Sequence, residues 1–388
     1  MKDLPTELFG LSPEQEAIVS MCRRFATEEI RPIARAVDDA DIEVPWAIWY
    51  KASDLGLTSF MLPSALGGGG FTDVMTQCLV QEELCAGDLG IGNLLTSNGF
   101  FAHPLLELGT PEQQERFLVP LTSKRPPLTA LAVTEPDAGS DAAALTTRAT
   151  RIDGGYRLTG QKAWISSGGV ADLYVVFATI DPSLRARGVT AFVVEKGTAG
   201  LSFSAPLRKM GQRALVNTEV ILDGVEVPME NRLGEEGDGF RGLMHTFDVS
   251  RVILAAAATG VARAATEYAI DYAGERYQFG VPIHRHQAVA FRLADMATRV
   301  EASRLLVWRA AARLDAGLRA TKEAAMAKLT ASETAMFVTW AAVQTLGGWG
   351  YSREHLVEKW MRDAKLEEIE EGTSDIQRLV ISRDLTRS

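Results

Sequence analysis

Tyr156-Arg157-Leu158-Thr159-Gly160-Gln161-Lys162-Ala163-Trp164-Ile165-Ser166 opens just after a Gly154-Gly155 turn signal and is rich in aromatic and β-branched residues. That composition predicts a β-strand. Residues 172–178, 189–195 and 219–227 repeat the character, with Gly168-Gly169, Asp181-Pro182 and Asp223-Gly224 as turn signals between strands. Short strands at this spacing predict a small antiparallel sheet or barrel in the middle of the chain.

Helical signals lie on both sides. Upstream, Ser12-Pro13-Glu14-Gln15 is a helix start with a Ser cap, Pro at the first helical position and Gln three residues after the cap. The helix is expected to run to about residue 30, where Pro32 intrudes. Further helices are expected after Val44-Pro45, near 72–86 beyond the Gly67–70 break, up to Leu108-Gly109, and from Thr110-Pro111-Glu112-Gln113. Downstream, Leu293, Met296, Ala297, Val300 and Val307 recur at helical spacing, and 324–346 reads as a second long helix closed by Gly347-Gly348. The fold class is therefore α+β, mainly α: an N-terminal helical domain (1–125), a central β domain (126–235) and a C-terminal helical bundle (236–388). The order helices, strands, helices argues against a Rossmann fold, which alternates strand and helix from its start.

Composition narrows the function classes. The 388 residues are 46% hydrophobic and 23% charged, with a net charge of −10. An acidic chain with no Lys/Arg block argues against nucleic acid and anionic membrane surfaces as partners. Cys22, Cys78 and Cys85 are odd in number and lack a C-x-x-C spacing, so neither a disulfide framework nor a metal site is indicated. Residues 1–5 carry no apolar leader character, the alanine-rich run at 254–260 reads as a buried helix, and no membrane span is expected, which makes the cytoplasm the default location.

Three segments carry candidate chemistry, and each has a plainer reading. Thr134-Glu135-Pro136-Asp137-Ala138-Gly139-Ser140-Asp141 suits a ring edge or phosphate, or is simply a polar turn. Trp164 with its neighbouring hydroxyls suits a flat heteroaromatic ring, or is a core tryptophan. Glu370-Glu371-Gly372-Thr373-Ser374-Asp375 suits a carboxylate base on a loop, or is a solvated acidic face.

Taken together and in order, these segments resemble the acyl-CoA dehydrogenase family over essentially the whole chain. Met210-Gly211-Gln212-Arg213, Phe247-Asp248 with Arg251, Arg276 with Gln278-Phe279-Gly280, His286-Gln287, Gln344 with Gly347-Gly348, and Arg362-Asp363-Ala364-Lys365 extend the match. The resemblance implies a C-terminal four-helix bundle, FAD as cofactor and a homotetramer. It also implies an acyl-CoA substrate and an electron-transfer flavoprotein as electron acceptor. By motif, Val133, Thr134 and Ser140 would line the flavin and the thioester end of the substrate. Trp164 would flank the ring, with Ile165 and Ser166 at its edge. Arg276, Gln278, Phe279, Gln287, Gln344, Gly347 and Gly348 would hold FAD from a neighbouring subunit, and Thr373 and Asp375 would also reach it. Asp248 and Arg251 would bind pantetheine and support the loop that carries Gly372. Glu371 would remove the α-proton while the β-hydrogen leaves as hydride to flavin N5. Donors preorganised around the thioester carbonyl contribute roughly 3–4 kcal/mol each to such chemistry.

Three departures qualify the resemblance. Some relatives carry the base at the position of Ser250, which here is a serine. Asp375 stands where Glu or Gln is common. Glu370 replaces the usual aromatic residue before the base, and either faces solvent, tunes Glu371 by like-charge repulsion, or meets a polar group of the acyl chain. The rival readings are an acyl-CoA oxidase or monooxygenase-like relative, a dehydrogenase of carrier-protein-bound or unusual acyl thioesters, and a non-enzymatic binding protein.

Overall fold

The computed structural model describes residues 10–386. The leader reading at residues 1–5 lies outside the described residues. The chain opens with helix α1 (Pro13–Phe25), whose Ser12 and Gln15 close a reciprocal capping box. The helix does not stop before Pro32. A π turn at Ala26–Ile30 and a 3-10 turn at Arg31–Ile33 carry it into α2 (Ala34–Ala40). The wider π turn bonds Arg31 N–H to the Ala26 carbonyl, so the missing proline N–H breaks no regular α ladder there.

Helices α3 (Trp46–Asp54), α4 (Val74–Gly87), α5 (Leu89–Thr96), α6 (Asn98–Leu108) and α7 (Pro111–Leu118) complete the first region. Asp73 caps α4, and Thr110 with Gln113 forms a second capping box on α7. Almost every residue of α4 is buried, as expected of a helix with neighbours all round.

The middle of the chain is an eight-stranded sheet. Its strands are β1 (Thr129–Ala132), β2 (Arg148–Ile152), β3 (Gly155–Ser166), β4 (Leu173–Thr179), β5 (Val189–Glu195), β6 (Leu201–Phe203), β7 (Asn217–Pro228) and β8 (Arg232–Leu233). The path runs β6-β7-β3-β2-β4-β5-β8, with β1 beside β4. The sheet is mixed rather than antiparallel, because β1 and β2 each pair with β4 in parallel. Long intervening chain makes such pairings accessible, whereas a tight turn would force antiparallel ones. Asp223-Gly224 is not a turn between strands. It lies within β7 at a bulge, where Leu158 pairs Val225 and Gly160 pairs Leu222.

Three long helices follow, α8 (Gly239–Glu275), α9 (Gln287–Asp315) and α10 (Thr321–Leu346), and two shorter ones, α11 (Val357–Glu367) and α12 (Ser374–Leu385), come after them. A small hairpin, β9 (Tyr277–Gln278) and β10 (Val281–Pro282), separates α8 from α9. Helices α8, α9 and α10 pack on one another, α11 and α12 pack on α10, and α4 packs along α8. Alanines fill the centre: Ala255–258, Ala262 and Ala265 of α8 and Ala327, Ala331 and Ala335 of α10 lie in one buried cluster. Gly260 marks where α4 crosses α8, since a Cβ there would lie 2.3 Å from the Glu82 carbonyl oxygen. Among the described residues α8 alone is long and apolar enough to cross a membrane, and 89% of its apolar window is buried inside the protein. All three cysteines are free and buried.

Charges are also buried at this crossing. Glu82 of α4 accepts from Arg263 Nε of α8 at 3.1 Å and from Arg304 Nη2 of α9 at 2.7 Å. Glu83 accepts from Arg263 Nη2 at 2.8 Å and from Arg23 of α1 at 2.9 Å. Removing one member strands the others in a dry environment. Glu82→Ala is expected to lower unfolding free energy by about 3–5 kcal/mol. Glu226→Ala, at the exposed Glu226–Arg157 pair, is expected to change it by about 1 kcal/mol or less. Urea midpoints of the two variants check the contrast.

Candidate active site

Helix α11 ends at Glu367, and the following turn presents Glu371 and Gly372 at positive φ, 50° and 95°. Such backbone is held only where its surroundings fix it. Here the carbonyl of Glu371 accepts from Arg251 Nε at 3.0 Å and from Gln377 Nε2 at 3.2 Å. The carbonyl of Gly372 accepts from Gln377 Nε2 at 2.8 Å and Lys328 Nζ at 2.9 Å. Thr373 then caps α12 by accepting from Ile376 N–H. Three helices, α8, α10 and α12, therefore grip two consecutive residues.

The Glu371 carboxyl turns toward α8, where the buried Ser250 hydroxyl donates to its Oε2. Burial pushes its pKa up to about 7, against the lowering effects of the Ser250 hydrogen bond and of Arg251. Arg251 also stacks over Phe247, and Asp248 accepts from Thr321 Oγ1 of α10 at 2.6 Å. Arg251 thus stands beside the Glu371 loop, while Asp248 is tied to α10.

The sheet carries a second group of the candidate residues. Register shifts between Lys162 and Ile165 throw Trp164 into positive φ, 61°, and leave its indole 62% exposed. The core reading of Trp164 therefore fails. Ser166 is also exposed, and Asn217 Nδ2 bonds both its hydroxyl and the Trp164 carbonyl at 3.1 Å. Ile165 points the other way, into the core, so only its backbone is left for a ring edge. Val133 is buried, Thr134 half-buried and Ser140 exposed. Behind them, Glu135 accepts from Lys162 Nζ at 2.8 Å and from the Thr146 and Thr147 amides, and its pKa falls to about 2 despite burial. Lys162 also donates to the Val133 carbonyl at 3.0 Å, which ties the Thr134 loop to the Trp164 strand.

Arg276, Gln278, Phe279, Gln287, Gln344, Gly347 and Gly348 gather elsewhere, at the far end of the bundle, and all are exposed. Phe279 is 94% exposed at φ 55°. From Ser250 to Arg276 is 26 helical residues, about 40 Å along α8. This end cannot share a ligand with Glu371 in one chain. Asp375 faces solvent, its side chain 94% exposed.

A flat, partly polar cofactor fits these surfaces. An indole held out of the core by a bulge, the exposed neighbouring Ser166 hydroxyl, and the buried, unpartnered Ser374 Oγ beside Thr373 are what a heteroaromatic ring with polar edges requires.

Sequence reading missed several supports. Glu135, Asn217, Lys328, Gln377 and Glu367 drew no functional role; Glu135 meets Lys162 across 27 positions and Glu367 meets Asn93 across 274, pairings that no spacing marks. Glu370 is not on a solvated face: its Oε1 is buried without a partner, and burial raises its pKa against the lowering effects of Lys328 and Lys209.

The raised pKa of Glu371 makes a stability prediction with a definite sign. The folded state binds this proton more tightly than the unfolded chain does, so its contribution is full below the unfolded value of 4.5 and is lost as pH rises through about 7. Glu371→Gln removes that loss. It is expected to be more stable than wild type at pH 8 by about 2 kcal/mol beyond any difference at pH 5, as read by denaturant titration at both pH values.

Three family models cover the chain: the acyl-CoA dehydrogenase N-terminal domain at residues 12–125, the middle domain at 130–225 and the C-terminal domain at 237–386. A cyclohex-1-ene-1-carbonyl-CoA dehydrogenase of Geobacter metallireducens is 45% identical over 97% of this chain and 98% of its own. The structure of butyryl-CoA dehydrogenase from Megasphaera elsdenii aligns with a TM-score of 0.93 at 39% identity, covering 97% of this chain and 99% of that one. The FAD complex of PigA aligns with a TM-score of 0.92 at 30% identity, covering 97% and 98%. With all three domain models matched in order and relatives above 40% identity end to end, this chain belongs to the acyl-CoA dehydrogenase family.

Proposed function

We propose that this chain is an FAD-dependent acyl-CoA dehydrogenase in which Glu371 is the catalytic residue, removing the α-proton of the thioester. The carrying observation is the Glu371 carboxyl itself: buried, bonded by Ser250, on backbone gripped from three helices, with a pKa of about 7. A base acts best when its pKa lies near the working pH, and a thioester α-proton needs a stronger base than an ordinary carboxylate. Bound FAD supplies the hydride acceptor for the β-hydrogen. Trp164 and Ser166 are read as flanking its ring, Val133, Thr134 and Ser140 as lining it, and Thr373 as an edge contact. Ile165 contributes backbone only. Asp248 and Arg251 are read as contacts for the pantetheine arm, with Gly372 leaving room for the thioester.

The remaining predicted residues, Arg276, Gln278, Phe279, Gln287, Gln344, Gly347 and Gly348, are read as serving the site of a neighbouring copy. Their exposure and their distance of about 40 Å from the Glu371 loop support that reading. It requires at least a dimer, and a homotetramer in keeping with the family resemblance. Asp375, exposed within one chain, has its place at the same interface. Electron-transfer flavoprotein is the proposed acceptor and the cytoplasm the proposed location. The substrates in the names of the aligned enzymes, butyryl-CoA and cyclohex-1-ene-1-carbonyl-CoA, favour a short or alicyclic acyl-CoA over a carrier-protein thioester.

Anaerobic titration with short-chain and alicyclic acyl-CoAs is expected to bleach the flavin band near about 450 nm, a property of the cofactor. Glu371→Gln is expected to stay yellow and unbleached. A yellow wild type that no acyl-CoA bleaches overturns the proposal.

The rate of bleaching is expected to rise with pH through about 7, as Glu371 ionises. Ser250→Ala removes a hydrogen bond to the ionised form, so the rising limb is expected to move to higher pH by about half a unit or more. Stopped-flow rates across pH 5.5–9 test the direction.

A further inference from the structure

Directly behind Glu371, the carboxyls of Glu367 and Glu370 meet within hydrogen-bonding reach of each other. Glu367 is 1% exposed, and its Oε1 accepts from Gln212 Nε2 at 2.9 Å and Asn93 Nδ2 at 3.4 Å. Glu370 Oε1 is buried with no donor facing it. An ionised carboxylate only accepts, so two of them in contact have nothing to share unless one carries a proton. Two ionised carboxylates at that separation would also repel in a site with little water.

The groups around the pair are few. Lys328 of α10 is 1% exposed and is the nearest counter-charge, and its Nζ already donates to the Gly372 carbonyl. Lys209, on the loop before β7, faces Glu370 from the sheet side but is occupied by the Gln212 carbonyl and by Asn217 Oδ1. The Gln212 side chain reaches both carboxyls. The Cys85 thiol of α4 faces them from below, and burial and these negative neighbours hold it protonated. Arg251 of α8 faces Lys328 and Glu371. One turn upstream on α11, Asp363 is already matched by Lys359 and the Gln212 amide. Two positive charges, Lys328 and Lys209, thus face the pair, but their hydrogen bonds go to the Gly372, Gln212 and Leu215 carbonyls and to Asn217 Oδ1, so neither supplies the proton missing between the two carboxyls.

We propose that Glu367 and Glu370 form an acid–carboxylate pair sharing one proton, and that this pair, balanced by Lys328, is a positioning element that fixes the charge and backbone behind Glu371. The proton comes from solvent during folding and takes no part in turnover. With one negative charge, the pair holds Lys328 where it can still grip the Gly372 carbonyl. With two, Lys328 would be drawn toward the carboxyls and the residue after the base released. The link to the reaction rests on Glu371 being the base; the existence of the pair does not.

The experiment compares wild-type holoenzyme with Glu367→Gln, Glu370→Gln and the double variant. Infrared difference spectra at pH 8 are expected to show a protonated-carboxyl C=O band in wild type that each single substitution removes. In the pH dependence of flavin bleaching, each single variant is expected to keep the wild-type limb within a few tenths of a unit, because the amide stands in for the protonated acid. The double variant is expected to move the limb down by about one unit, since a negative charge is then lost. Two outcomes overturn the proposal: no band sensitive to either substitution, or single variants that each shift the limb down as a lost charge would. The two single variants and the infrared reading decide the question if the double variant does not fold. Loss of the base role, tested by Glu371→Gln, would leave the infrared result untouched.

Discussion

A carboxylate cannot be buried without donors, and the inward face of α11 buries two, Asp363 and Glu367. Their donors come from elsewhere in the chain. Gln212 gives its amide N–H to Asp363 at 2.6 Å and its side chain to Glu367, Asn93 of α5 reaches both Gln212 and Glu367, and Lys359 joins Asp363 to Asp88 at the start of α5. Satisfying α11 therefore fixes the sheet loop and the first helical region against it. The turn that carries Glu371 begins where this helix ends, so its placement is a result of that closure. Hydrophobic burial would not achieve it alone, because it is non-directional.

The same division of labour recurs in two other places. Glu135 and Lys162 tie the Thr134 loop to the strand that exposes Trp164, and Glu82 with Arg263 and Arg304 fixes how α4 crosses the bundle. Apolar contact brings these parts together; the ion pairs choose one register among the many that would bury similar area. Buried pairs of this kind cost desolvation and give specificity in exchange.

Local signals were legible in the sequence. The capping residues Ser12, Gln15, Thr110 and Gln113 announced two helix starts at the right positions, and the strand composition of 189–195 matched β5 end to end. Shorter strands such as β1, of sequence Thr-Ala-Leu-Ala, carry no β signal and form because β4 offers a free edge. Helix α5, rich in glycine and buried throughout, has no amphipathic period to read. Pro32 and Asp223-Gly224 misled for one reason: a residue that breaks a regular ladder is tolerated where the ladder is already irregular, at a π turn or a bulge. Of the site, Glu371 and Trp164 were marked by motif. Glu370 was visible as a departure, but its burial depends on Glu367, Gln212 and Lys328, which only the fold brings together.

The alanine cluster of α8 and α10 has a bearing on how this bundle tolerates change. An alanine side chain has no rotamers to lose when it is buried, so these contacts form at almost no conformational entropy cost. There is also almost nothing to truncate. A core of leucines fails when side chains shrink and leave voids; this one has its weakness on the other side, where a single added methylene has no space to enter and must push two helix backbones apart. Enlarging Ala262 of α8 or Ala331 of α10 is therefore costlier than truncating it.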